Sequence, residues 1–240
     1  MRNRLLLSFL LLMALTAQSQ KLTAEEVLAK SIAFHDPGGE WKNLQQTLYI
    51  TMSYADGRQR NSRIEVDLPR EYFRLTSRTD NTTIEQTLEK GVCTLKLNGS
   101  TEFSEADKKE HRLTCERAEM MKNYYLYLYG LPMKLKDPGT RMDPKVQTKA
   151  FKGKEYLVLK VNYDKSVGED TWYFYFDPGT YAMEVYQFFH DESINDGEYI
   201  LLSELQNVSN IKMPKVRAWY YNKDDKHLGT DTLMDSEKLE

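Results

Sequence analysis

Only two cysteines occur in the 240 residues, Cys93 and Cys115. That excludes a disulfide-dense scaffold, and without clustered histidines it also excludes an ordinary four-ligand zinc site. In an oxidising compartment such an even pair most simply forms a disulfide, worth roughly 3 kcal/mol on the chain-entropy account, with two free buried thiols as the alternative. Apolar runs are short. Leu5 to Leu15 is too brief to span a bilayer, which takes about 20 residues, and no later segment competes with it. Positive charge is not in excess either. The formal net charge is −3, which disfavours nucleic acid as a partner. Neither Gly-x-Ser-x-Gly, His-Glu-x-x-His nor a phosphate loop is present, and no cofactor is implied.

What the amino-terminal end does contain is a processing signal: Arg2 and Arg4, then the apolar core, then small-residue cleavage context at Ala17-Gln18-Ser19. The expected product is an exported chain divided as a signal peptide over 1–19 and one β domain over 20–240. Cleavage would remove two positive charges, taking −3 to −5. No cysteine lies at the cleavage region to accept a lipid, so the periplasm or the exterior is the expected location and no membrane anchor is expected.

Aromatic residues concentrate in Thr171 to His190, TWYFYFDPGTYAMEVYQFFH. The stretch alternates with period two and is read as a hairpin about Asp177-Pro178-Gly179-Thr180, where Pro178 presets φ and Gly179 would supply the positive φ of a type II turn. Trp172, Phe174 and Phe176 take one face and Tyr173 and Tyr175 the other, so both faces need an apolar cover. In the second arm, strict alternation sets Tyr181, Met183, Val185 and Phe189 against Ala182, Glu184, Tyr186, Phe188 and His190.

Upstream, Thr23 and Glu26 form a capping box opening an amphipathic helix through Phe34, which stops at Asp36-Pro37-Gly38-Gly39. Alternating segments at 43–54, 59–68, 71–78, 82–89 and 92–97, joined by short turns, predict an antiparallel meander. Ser104 to His111 is a charge run, read as a solvated insertion. Residues 114–129 carry Ala118, Met121, Tyr125 and Leu128 at helical spacing, ending where Gly130 suits the residue after a helix and Pro132 prevents continuation. A second Asp-Pro-Gly-Thr at 137–140 shares turn chemistry with the first. Beyond it come a hairpin about Lys152-Gly153-Lys154 and strands at 199–205, near 211, and at 215–222. The result is a mainly β, α+β chain of roughly ten strands and two helices.

His190, Asp191 and Glu192 form the one triplet with the residue types of a hydrolytic site, and acidic turns at 196–198 and 224–227 do not match a calcium loop. Taken together, the order of elements resembles the periplasmic lipoprotein-carrier superfamily. More narrowly, Tyr129 to Leu135, Asp170 to Phe174 and Asp191 to Tyr199 resemble an uncharacterised family of secreted bacterial proteins with that fold. The resemblance implies a curved, incompletely closed antiparallel sheet whose concave face is covered by helices and accepts acyl chains. On that basis Trp172, Phe174, Phe176, Met183 and Phe189, with Met121 and Tyr125 from the lid, are the expected ligand-binding residues. The expected partner is a hydrophobic small molecule or lipid, with an envelope protein as a further partner. The competing readings are an enzyme using the His190 region and a module presenting Tyr and Trp to a protein or glycan.

Overall fold

The computed structural model describes residues 22–239. The expected signal segment lies outside the described residues, as does the cleavage site within it. Among the described residues no helix is long and apolar enough to cross a membrane.

Helix α1 (Ala24–His35) begins with the expected capping box, in which Thr23 and Glu26 satisfy each other's backbone N–H groups. Strands β1 (Gln45–Tyr54), β2 (Gln59–Asp67), β3 (Tyr72–Thr79), β4 (Thr82–Glu89) and β5 (Val92–Leu97) follow as a meander. The charge run folds into one short helix, α2 (Glu105–Glu110), with no buried residue. Then come α3 (Cys115–Gly130), β6 (Thr140–Met142), β7 (Gln147–Phe151), β8 (Lys154–Tyr163), β9 (Thr171–Phe176), β10 (Met183–Asp191), β11 (Asp196–Val208), β12 (Ile211–Tyr221) and β13 (His227–Lys238).

All thirteen strands join one antiparallel sheet in the order β5-β4-β3-β2-β1-β13-β12-β11-β10-β9-β8-β6, with β7 also on β8. The expectation of ten strands was low because long strands such as β11 read as fragments in sequence and β6 has three residues. The closing contact is between β1 and β13, bringing the last strand beside the first. The other two edges, β5 and β6, do not meet, so the sheet stays open rather than forming a barrel.

The concave face carries the main core, including Leu48, Ile64, Phe73, Phe174, Phe176 and Tyr186, and α1 and α3 cover it. On the convex face a smaller cluster of Tyr156, Val158, Tyr173, Tyr175 and Val185 is capped by Phe151, Phe189 and Leu201. The Lys149 and Lys160 ammonium groups lie over the Tyr173 ring, 4.1 and 5.3 Å from its centroid, so cations on an aromatic face cap this second cluster. On β2 the acidic residues Glu65 and Asp67 are buried: Glu65 pairs with Arg63 and Arg74 and accepts from the Tyr72 hydroxyl.

Two turn expectations change. At 177–180, Gly179 does not take positive φ; the Asp177 carboxylate accepts from the backbone of Gly179 and Thr180, and Tyr181 takes the left-handed conformation at φ 63°. The identical tetrapeptide at 137–140 does make the glycine turn, with Gly139 at φ 86° and the Thr140 N–H reaching the Asp137 carbonyl. Their ion-pair partners differ as well: the Asp177 carboxylate pairs with Lys154 of the adjacent strand, whereas Asp137 pairs with Lys134, three residues before it. Gly130 is likewise no left-handed cap. It is the last residue of α3, and the Trp41 indole lies 2.3 Å from where a Cβ would sit, so no larger residue fits there.

Candidate functional site: an aromatic cavity beneath helix α3

Between α3 and the open end of the concave face lies a cavity of about 990 Å³. Its floor is built by inward-facing strand residues: Met52 and Tyr54 of β1, Trp172 of β9, Phe188 of β10, Trp219 of β12 and Leu228 just inside β13. Its roof is α3, through Tyr124, Leu126, Tyr127 and Leu128. Helical spacing alone would not put all four on one side, so the cavity wraps part of the way around the helix. Rings tie roof to floor: Tyr124 stacks on Trp219 with centroids 6.3 Å apart, and Tyr127 meets Trp172 edge-on at 5.5 Å. Burial pushes the phenol pKa values of Tyr124 and Tyr127 well above normal, so both stay neutral. Tyr127 and Tyr163 share a hydroxyl–hydroxyl bond at 2.5 Å.

The mouth is polar. His190 Nδ1 lies 2.7 Å from Asp170 Oδ1, and this partner raises the imidazole pKa. Lys134 pairs with Asp137 on the opposite lip. Glu198, beside Phe188 in the sheet register, has no side-chain partner among the described residues, and burial raises its pKa.

Behind the wall, Arg217 is wholly buried, a rare state for a guanidinium. It donates to the carbonyls of Pro214 at 2.8 Å and Leu128 at 3.4 Å and lies 3.8 Å over the Tyr129 ring. Its strand neighbour Asp231 accepts from Trp219 Nε1 at 3.2 Å, and desolvation raises that carboxyl's pKa. These contacts fix the last turn of α3 and the Trp219 ring against the sheet.

Of the expected ligand-binding residues, Trp172 lines this cavity. Phe174, Phe176 and Met183 lie in the closed core, Tyr125 packs beneath α3, and Met121 borders a second hollow. Phe189 stands on the convex face, its ring 5.9 Å from Tyr173. The reason is a β-bulge. Met183 pairs with Phe176, but Val185 pairs with Tyr175, so Glu184 is an extra residue and every side chain after it changes face. Phe188 and His190 turn inward as a result.

The triplet His190, Asp191, Glu192 is not brought together. Asp191 caps the Ser193 N–H, while Glu192 accepts from Tyr173 and binds Lys160 on the convex side. Asp170 and Glu198, the carboxylates that share the mouth with His190, come from β9's leading turn and from β11. Only the bulged register places them there, and local spacing carries no trace of it. The pair Cys93 and Cys115 is bonded, with Cα atoms 5.9 Å apart, tying β5 to the start of α3.

Several solved structures are similar to this chain along most of its length at low sequence identity. A LolA superfamily protein from Nitrosomonas europaea is 12% identical, with 92% of this chain and 94% of that one aligned and a TM-score of 0.49. A putative outer membrane lipoprotein-sorting protein domain from Vibrio parahaemolyticus is 12% identical over 89% of this chain and 91% of its own, at 0.47. A DUF1329 family protein from Desulfovibrio piger is 7% identical over 89% and 92%, at 0.48. No curated protein sequence matches the chain. Residues 3–236 match a family described as a family of unknown function, DUF6503, and the chain belongs to that family.

Proposed function

We propose that the protein is an exported envelope protein, processed after residue 19, whose single β domain binds an apolar or amphiphilic molecule such as a lipid. The observation that carries this reading is the cavity beneath α3, whose walls are aromatic and aliphatic while its polar groups gather at the mouth. At about 990 Å³ it falls at the upper end of the roughly 300–1,000 Å³ typical of small-molecule sites. Each buried methylene contributes about 0.8 kcal/mol, so an acyl chain of roughly ten carbons gains several kcal/mol after ordering costs. An amphiphile would lay its chain along Trp172, Phe188 and Trp219 and leave its head among His190, Asp170 and Glu198.

Two of the three tryptophans line the cavity, so binding reports directly in tryptophan fluorescence. Titration with a fluorescent fatty acid is expected to saturate and to quench Trp172 and Trp219. Leu126→Trp fills the cavity from the roof and should weaken the probe at least tenfold with the circular dichroism spectrum unchanged. A probe that binds the variant as well as the parent, together with no lipid in native mass spectra of protein from its own envelope, would overturn the reading.

A further inference from the structure

On the other flank of α3, the turn before that helix and the inner ends of β2, β3 and β4 enclose a second hollow of about 390 Å³. Three guanidinium groups line it: Arg60 of β2, Arg112 of the turn and Arg117 in the first turn of α3. Elsewhere, Arg58, Arg63, Arg70, Arg74 and Arg141 each have an acidic partner. None of these three does among the described residues, although Asp80 and Glu110 border the same hollow. Their own partners are weak. Arg60 gives one N–H to the Tyr125 hydroxyl at 3.1 Å and leaves its buried Nε without a partner. Arg117 reaches only the Met120 sulfur, at 3.6 Å.

The arginines are also held in place. The Cys93–Cys115 bond anchors the start of α3 to β5, and Arg112 takes the left-handed conformation at φ 52° that turns the chain into the helix. Burial first, then repulsion from Arg112 and Arg60, lowers the pKa of Arg117, so the three groups sense one another across the hollow. Converging guanidiniums with unused donors are unfavourable alone and complementary to a multiply charged oxyanion, whose oxygens accept their forked N–H groups.

We propose that this hollow is a phosphate-binding site whose cationic ligands are Arg60, Arg112 and Arg117. The phosphate belongs either to a lipid headgroup or to a free ion, and the site stands independently of what fills the aromatic cavity.

Calorimetric titration of the full mature chain with inorganic phosphate, at constant ionic strength set with chloride, is expected to show one saturable site. The double variant R112Q/R117Q should bind at least tenfold more weakly, and R117K, which keeps charge but loses the fork, should fall between. R141Q, at the far edge of the sheet, should bind as the parent does. Arg112 is exposed, so R112Q alone serves if the double variant loses its native spectrum. A short-chain soluble phosphatidylglycerol binding much more tightly than inorganic phosphate, through the same arginines, assigns the headgroup; equal affinities assign the free ion. Absence of a saturable phosphate response, or equal binding by the parent and the arginine variants, would overturn the site.

Discussion

Replacing His35 with alanine is expected to destabilise the protein by about 4 kcal/mol, since two buried backbone groups lose their partner at once and each costs roughly 1–3 kcal/mol unpaired. His35 is fully buried at the end of α1. Its Nε2 accepts from the Met183 N–H at 2.9 Å, which assigns the proton to Nδ1, and Nδ1 donates to the Lys212 carbonyl at 2.6 Å. One imidazole thus clamps the helix to the start of β10 and to β12. Met183 stands beside the bulge that turns Phe188 and His190 toward the cavity, so the clamp supports the site as well as the fold. Urea unfolding of His35→Ala checks the magnitude; a loss below about 1 kcal/mol would mean that the clamp contributes little. His35→Gln retains one of the two bonds and should lose about half as much.

The same residue makes a pH prediction with a definite sign. Burial, the dominant cause, holds the His35 pKa below 6.5, and protonating Nε2 would also remove the acceptor for the Met183 N–H. The unfolded chain therefore binds a proton below about pH 6.5 that the folded chain refuses. Its contribution to stability is full above that pH and declines as pH falls toward the folded-state value. His190 acts in the opposite sense: Asp170 raises its pKa, so its stabilisation is present below about pH 6.5 and is lost as pH rises through the folded value. Subtracting the pH profile of His35→Gln from that of the parent isolates the first effect. A difference that does not change between pH 7 and pH 5 would exclude it.

Removing the Cys93–Cys115 bond is the second large effect, expected to cost about 3 kcal/mol for a loop with a sequence separation of 22. The effect resides mainly in the unfolded chain, which gains freedom when the loop opens. The denaturant slope of Cys93→Ser/Cys115→Ser should rise as well, because the opened unfolded chain exposes more surface. The bond also ties the arginine-bearing turn to the sheet. The double variant should therefore bind phosphate more weakly even under conditions where it remains folded. Unchanged stability in the serine variant would show that strain in the bridge offsets the entropy.

Much of the secondary structure was legible in the residue order. The capping box at Thr23 and Glu26, the alternation of the meander, the helical stripe through Met121 and Tyr125, and the Lys152-Gly153 hairpin are patterns set by residues close in the chain, so they can be read without knowing what packs against them. The open antiparallel sheet with a helix-covered face was expected from the family resemblance that the order of those elements carries. Trp172 belongs with these, since it precedes any irregularity in its strand.

What the tertiary structure alone decided are the features that depend on partners distant in sequence. Glu184 looks like any exposed strand residue, yet pairing β10 with β9 makes it a bulge and sends Phe189 to the convex face while Phe188 and His190 enter the cavity. Two copies of Asp-Pro-Gly-Thr turn differently, and only the one at 177–180 has its aspartate paired with a lysine of another strand, Lys154. Asp170 reaches His190 through the bulged pairing of β9 with β10, and Arg60 shares a hollow with Arg112 and Arg117 only because α3 and the turn before it pack against the inner face of β2 to β4. Alternation specifies which residues share a face up to the first irregularity; beyond it, cross-strand pairing sets the face, and pairing is a property of the whole sheet.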